Sequence, residues 1–124
     1  MAYQDQAQYL TFIAGEALSA FQLVKFNNAG KIVKCTANTD IPAGVVQRGC
    51  ASGDAVEVCV SGFTKVICAG VITSGTDFFV TGAAAGAVVK HSAGGVYVGR
   101  FIPNASYAVT ASGDEILIHF APSV

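Results

Sequence analysis

From Tyr9 onward the chain alternates short runs rich in Val, Ile, Phe, Tyr and Thr with clusters of Gly, Asn, Asp, Ser and Pro. Such runs read as strands, because β-branched and aromatic side chains fit a pleated surface while Gly, Asn and Asp supply the reversals between them. The pattern predicts ten strands, over 9–14, 22–27, 31–36, 44–50, 55–62, 64–69, 78–81, 88–91, 96–102 and 115–121. In Val56-Glu57-Val58-Cys59-Val60 the valines recur at every second position. They therefore share one face of a strand, and Glu57 and Cys59 share the other, which marks a sheet with one face in a core. By the same alternation Ile116, Ile118 and Phe120 face inward, and His119 falls with Leu117 on the less buried side.

The turns carry their own chemistry. Asn27-Asn28-Ala29-Gly30 tolerates positive φ between two β-rich runs, so Leu23-Val24-Lys25-Phe26 should fold back on Ile32-Val33-Lys34-Cys35 as a hairpin. Ser61-Gly62-Phe63 is expected to join two further runs in a similar way, and Gly82-Ala83-Ala84-Ala85-Gly86 reads as a flexible loop of small residues. Ser52-Gly53-Asp54, Ser74-Gly75-Thr76-Asp77 and Ser112-Gly113-Asp114 each place Ser-Gly and a carboxylate before an apolar run, with Ala14-Gly15-Glu16 a looser copy. Their spacing is uneven, so they read as repeated turn chemistry rather than a solenoid repeat. One segment competes with the all-strand reading: Ala17, Ala20, Phe21 and Val24 fall at helical spacing, so a short helix is the alternative over 16–26.

These elements predict an all-β fold, a compact β-sandwich or β-barrel-like domain of about ten short strands. Its expected extent is 9–124, a length suited to one domain. Residues 1–8 form an expected extended arm, in which Gln4, Gln6 and Gln8 alternate with small, acidic or aromatic neighbours and show no core face.

Composition changes the picture in one respect. Hydrophobic residues make up 52% of the chain and charged residues 12%, where an ordinary domain carries about 25% charged, and mean hydropathy is +0.54. Either Ser, Thr, Gln and Asn solvate the surface, or neighbours cover part of it; the hydropathy favours coverage. The seven basic and eight acidic side chains are scattered and leave no basic stripe for phosphates, so nucleic acid is not an expected partner. The first residues have no cationic or apolar signal region, which points to synthesis in a cytoplasm. The uncharged stretch between Asp77 and Lys90 is broken by Gly82 and Gly86 and falls short of the ~20 residues that span a bilayer, so no membrane segment is expected.

No catalytic constellation can be assembled from the sequence. Ser52 does not sit in a Gly-x-Ser-x-Gly elbow, and His91 and Ser92, as strand neighbours, point to opposite faces. Cys35, Cys59 and Cys68 lie in β-type runs and Cys50 beside a turn, which suits free structural thiols. Cys59 and Cys68 lack the close spacing of a zinc pair, and a site built across strands with His91 and His119 is the remote alternative. Asp54, Asp77 and Asp114 read as turn caps, and no phosphate loop of standard spacing exists. The expectation is a binding domain that is not an enzyme, with no catalytic residue, no metal, no cofactor and no small-molecule substrate.

Several segments in this order carry a resemblance: Ala14-Gly15-Glu16-Ala17-Leu18 and Leu23-Val24-Lys25-Phe26, Ile41-Pro42-Ala43-Gly44-Val45-Val46, 51–58, and Ala69-Gly70-Val71-Ile72-Thr73-Ser74-Gly75. Together they resemble the capsid cement, or head decoration, proteins of bacteriophages, although the part from Val96 departs from that pattern. The resemblance implies a homotrimeric β-rich protein on the outside of an assembled icosahedral shell, bridging neighbouring major capsid subunits and without enzymatic activity. It would be made in the host bacterial cytoplasm and end in the virion. The arm, with Tyr3, Gln4, Gln6 and Tyr9, is then the expected capsid contact, by strand addition or side-chain hydrogen bonds. The alternative is a carbohydrate- or receptor-binding β module of a virion or tail fibre, which the absence of Trp and the small number of Tyr disfavour.

Overall fold

The computed structural model describes residues 7–73, 79–103 and 110–121. These hold nine strands: β1 (Gln8–Ile13), β2 (Leu23–Phe26), β3 (Ile32–Lys34), β4 (Gly44–Val46), β5 (Ala55–Ile67), β6 (Phe79–Gly82), β7 (Val88–Lys90), β8 (Gly99–Ile102) and β9 (Glu115–Phe120). They form a curled sheet of antiparallel ladders, a half-barrel, in the order β3-β2-β4-β5-β9-β8-β6-β7, with β1 added beside β5. The all-β expectation holds. The helical alternative over 16–26 does not: Leu18 bridges Cys50, Phe21 sits at a φ of 65°, and its N–H donates to the Val46 carbonyl.

One predicted turn is not a reversal. The runs 55–62 and 64–69 belong to one strand, β5, which passes straight through Ser61-Gly62-Phe63. Its first part lies between β1 and β4, and its second part pairs with β9, so partners hold the chain extended on both sides of the junction. Gly62, at a φ of 102°, takes up the local distortion that a side chain would resist.

The ladders show a five-stranded unit used twice, with β5 shared. In the first half β1 runs along β5 with Leu10 opposite Val58 and Phe12 opposite Val56; in the second, β5 runs along β9 with Thr64 opposite Ile118 and Val66 opposite Ile116. The β2–β3 hairpin pairs Val24 with Lys34 and Phe26 with Ile32, and β6–β7 pairs Val80 with Lys90 and Gly82 with Val88. Val45 and Val46 of β4 stand opposite Cys59 and Val58, as Arg100 and Phe101 of β8 stand opposite His119 and Ile118. Even the single parallel bridges that draw each half round correspond, Ala14 to Ile32 and Cys68 to Val88.

Two of the Ser-Gly-Asp turns are thus more than repeated turn chemistry: they fill the same position in each half. Asp54 accepts from the Ala51 N–H and Asp114 from the Ala111 N–H, both at 2.9 Å, with Gly53 and Gly113 at φ of 91° and 93°. Ser74-Gly75-Thr76-Asp77 falls outside the described residues, and Glu16 of the looser copy serves another purpose, accepting from the Lys34 N–H at 2.8 Å. Asp54→Ala and Asp114→Ala should each cost about 1 kcal/mol in urea unfolding, with the two losses adding, because each removes one turn-closing hydrogen bond in a separate half.

The core follows the same plan, with one asymmetry. Ala14, Leu18, Val24, Ile32, Val46, Val56 and Val58 fill the first half, and their counterparts Cys68, Ile72, Val80, Val88, Phe101, Ile116 and Ile118 fill the second. The second core additionally takes in Leu23, Cys35 and Val45, from the opposite face of the first half's strands. The second half therefore covers the first half's outer face. This changes the expectation of one buried face for the strand at 56–60: Val56 and Val58 are fully buried, and so is Cys59 on the other side. The seam is also hydrogen-bonded, from Ile67 N–H to Phe21, Gly86 N–H to Cys35 and Val96 N–H to Asn38. Gly82–Gly86, expected as a flexible loop, contains a 3₁₀ turn (Ala84–Gly86) packed into this seam, where a Cβ on Gly86 would stand 2.9 Å from Cβ of Gln22.

Candidate interaction surfaces

The groups that could do chemistry are placed as follows. Cys35, Cys59 and Cys68 are buried and Cys50 is half-buried, all as free thiols. Burial, reinforced by the nearby Asp40 carboxylate and opposed by Lys25, pushes the Cys35 thiol up to about 12; burial also raises Cys59. The thiolate is the reactive form, so Cys35 stays inert at pH 8. Iodoacetamide followed by peptide mapping should label Cys50 first and Cys35 only once the fold is opened by denaturant. Ser52 sits in an exposed turn. His91 is exposed, with Nε2 2.9 Å from the Gly95 carbonyl oxygen, while His119 lies on the half-buried side of β9, as its alternation predicts. Among the described residues, no three of His, Cys, Asp and Glu converge in a way that could hold a metal ion.

Among the described residues, two ion pairs tie loops and strands together. Lys25 Nζ lies 3.0 Å from Asp40, and Arg48 Nε lies 3.0 Å from Glu57. The Thr36 N–H, then Lys25 and the Ala37 N–H, hold the Asp40 carboxyl below the usual carboxylate range. Glu57 is held low by a backbone hydrogen bond and by Arg48.

Two surfaces stand out. The first is the edge formed by β1. β1 pairs with β5; apart from that ladder, the bridge from Ala14 to Ile32 continues its line and the Phe12 ring packs edge-on against Phe26 at 5.0 Å. The strand carries no charged side chain and leaves Tyr9, Leu10 and Ile13 roughly half exposed, at 52%, 55% and 43%. Edge strands are normally protected by charge, proline or a covering element, because their unpaired N–H and C=O groups invite another strand. Of the residues expected to contact a capsid, Tyr9 lies exposed on this edge, and Tyr3, Gln4 and Gln6 lie outside the described residues. The second surface is the outer face of the second half, where Phe63, Arg100, Ile102 and His119 line a shallow cavity of about 220 Å³. The Phe63 and His119 rings pack at 4.9 Å between centroids, and Phe79 and Tyr97 make an edge-on contact at 5.2 Å.

This fold has a solved counterpart. It is similar to the N base of the head fibre gp8.5 of bacteriophage phi29, with a TM-score of 0.70 over 94% of this chain and 95% of that one, at 17% sequence identity. At that identity the likeness shows a shared fold. No protein-family model matches the sequence, nor does any curated protein. The similarity spans both halves of the sheet, so the paired units belong to the shared architecture. The sequence reading named Tyr9 on the first surface and did not name Phe63, Arg100 or Ile102 on the second. The matching Ala-Ser-Gly-Asp at 51–54 and 111–114 was the signal that aligns the two halves and sets Arg100 against the buried Val45.

Proposed function

We propose that the chain is a structural virion protein that binds the outside of an assembled phage capsid and cements neighbouring major capsid subunits, acting as a homotrimer. The observation that carries this reading is the fold shared with a phage head fibre base over nearly the whole of both chains. The low share of charged residues supports a surface that neighbours cover. The uncharged, half-exposed β1 supports the mode of contact. β1 follows directly on the N-terminal residues in sequence, and in this reading a capsid strand pairs along it while Tyr3, Gln4, Gln6 and Tyr9 supply side-chain contacts. Each contact can be weak. A trimer touching several subunits makes the second and third contacts intramolecular, and holding power rises by orders of magnitude without any single tight site.

The test is co-sedimentation with heads that lack the protein. The intact chain should bind in fixed stoichiometry and run as a trimer in light scattering. Removal of residues 1–6 leaves β1 whole, so thermal unfolding should be unchanged while head binding falls at least tenfold. Undiminished binding by the truncated protein would rule out the arm as the contact, and absence of binding by the intact chain would overturn the cementing role.

A further inference from the structure

We propose that the outer face of the second half, around Phe63, Arg100, Ile102 and His119, is a docking surface for a protein segment that presents a carboxylate beside an apolar side chain. The internal repeat supplies the first argument. At matching register positions the first half carries Leu23, Cys35, Val45 and Cys59, all fully buried because the second half packs over that region. The second half carries Phe79, His91, Arg100 and His119 there, and these are exposed or half-buried. At these four positions the unit's face is covered in its first copy and, among the described residues, left open in its second apart from the edge-on contact of Tyr97 with Phe79.

The substitutions define what would fit. Where a core partner is met, the chain uses Leu, Cys and Val; here it uses aromatic rings, arginine and histidine, the types concentrated at interfaces between separate proteins rather than in cores. Phe63 and Phe79 remain 40% and 46% exposed. Arg100 stands directly opposite His119 on the neighbouring strand and makes no ion pair with any described residue. Lys65 adds a second positive charge on the same face, opposite Leu117. The carboxylate on this face, Glu115, lies opposite Ile67 at the far end of β9, with Leu117 between it and His119. The cavity is lined by Arg100 and His119 together with Phe63 and Ile102; Phe63 and Lys65 lie on β5, Arg100 and Ile102 on β8, so cationic and apolar side chains alternate around it.

A carboxylate entering it can take two parallel N–H bonds from the Arg100 guanidinium, the geometry that favours Arg over Lys. The neighbouring side chain of the same segment then rests on Phe63 and Ile102. A nucleic acid would want several cations in a row, which this face lacks. The proposal does not depend on the arm or on the cementing role, since it concerns a different face.

The experiment is an NMR titration of the full, isotopically labelled chain with two capped tripeptides, Ac-Leu-Asp-Leu-NH2 and Ac-Leu-Asn-Leu-NH2, and with inorganic phosphate at equal ionic strength. The Asp peptide should shift the Arg100 Nε–H, His119 and Phe63 signals saturably, with a millimolar dissociation constant. The Asn peptide should bind at least fivefold more weakly. Arg100→Gln should abolish the preference for Asp without lowering the melting temperature, and Tyr9→Ala should leave it intact. Equal binding of the two peptides, an equal response to phosphate, or shifts confined to another surface would overturn the proposal.

Discussion

Val45→Arg is expected to unfold the protein, while the reciprocal change, Arg100→Val, is expected to leave its stability within about 0.5 kcal/mol. The two positions are equivalent: Val45 faces Cys59 and Arg100 faces His119 in matching ladders. Their surroundings are opposite. Val45 is fully buried in the larger core with Leu23, Cys35 and the second half's Ile116, Ile118 and Phe120, whereas Arg100 is exposed. A guanidinium at position 45 would lose its water among apolar side chains, and an uncompensated buried charge costs at least several kcal/mol. Against a total stability of about 5–15 kcal/mol, that is most or all of what holds the fold. Urea denaturation followed by circular dichroism checks both variants. Comparable losses would mean that the seam between the halves is not what distinguishes the two faces.

That pair of changes also shows which parts of the architecture were legible in the sequence. Strand positions were, because inward residues recur at every second position and the breaks carry turn formers; Asn27 does close the β2–β3 hairpin, accepting from the Ala29 and Lys31 N–H groups at 2.9 and 3.0 Å. The merger of two predicted strands into β5 was not. A glycine flanked by Ser and Phe is equally compatible with a reversal and with a distorted straight strand, and long-range partners make the choice. The internal repeat was hidden for a physical reason. Inward positions need only be apolar and of tolerable size, so Val46 matches Phe101 and Ala14 matches Cys68 without identity. Outward positions diverged because one set is covered and the other is not, as Cys59 and His119 show. What stayed constant is the Ala-Ser-Gly-Asp turn, where backbone conformation leaves little freedom.

Gly44→Ala and Gly99→Ala should be the most damaging of the small substitutions, each costing about 3 kcal/mol, at the upper end of overpacking effects. These glycines are repeat counterparts: Gly44 opens β4 and Gly99 opens β8, with Val24 and Val80 as their partners on β2 and β6. Neither needs an unusual φ, so the constraint is space. A Cβ on Gly44 would run into the Cys59 carbonyl and Val58 Cγ1, and one on Gly99 into the His119 carbonyl. A flexible side-chain tip could move aside; a carbonyl held in the β5 or β9 ladder cannot do so without breaking the sheet. Gly53 supplies the control, since nothing lies within 4 Å of its Cβ position and its alanine variant meets only the strain of a φ of 91°, roughly 1–2 kcal/mol. Thermal and urea unfolding of the three variants should rank Gly44→Ala and Gly99→Ala together, well below Gly53→Ala. The double variant at 44 and 99 should lose close to the sum, because the two collisions lie in different halves. If alanine at 44 or 99 proved no worse than at 53, the close approach of neighbouring backbones would not be what requires glycine at these two strand openings.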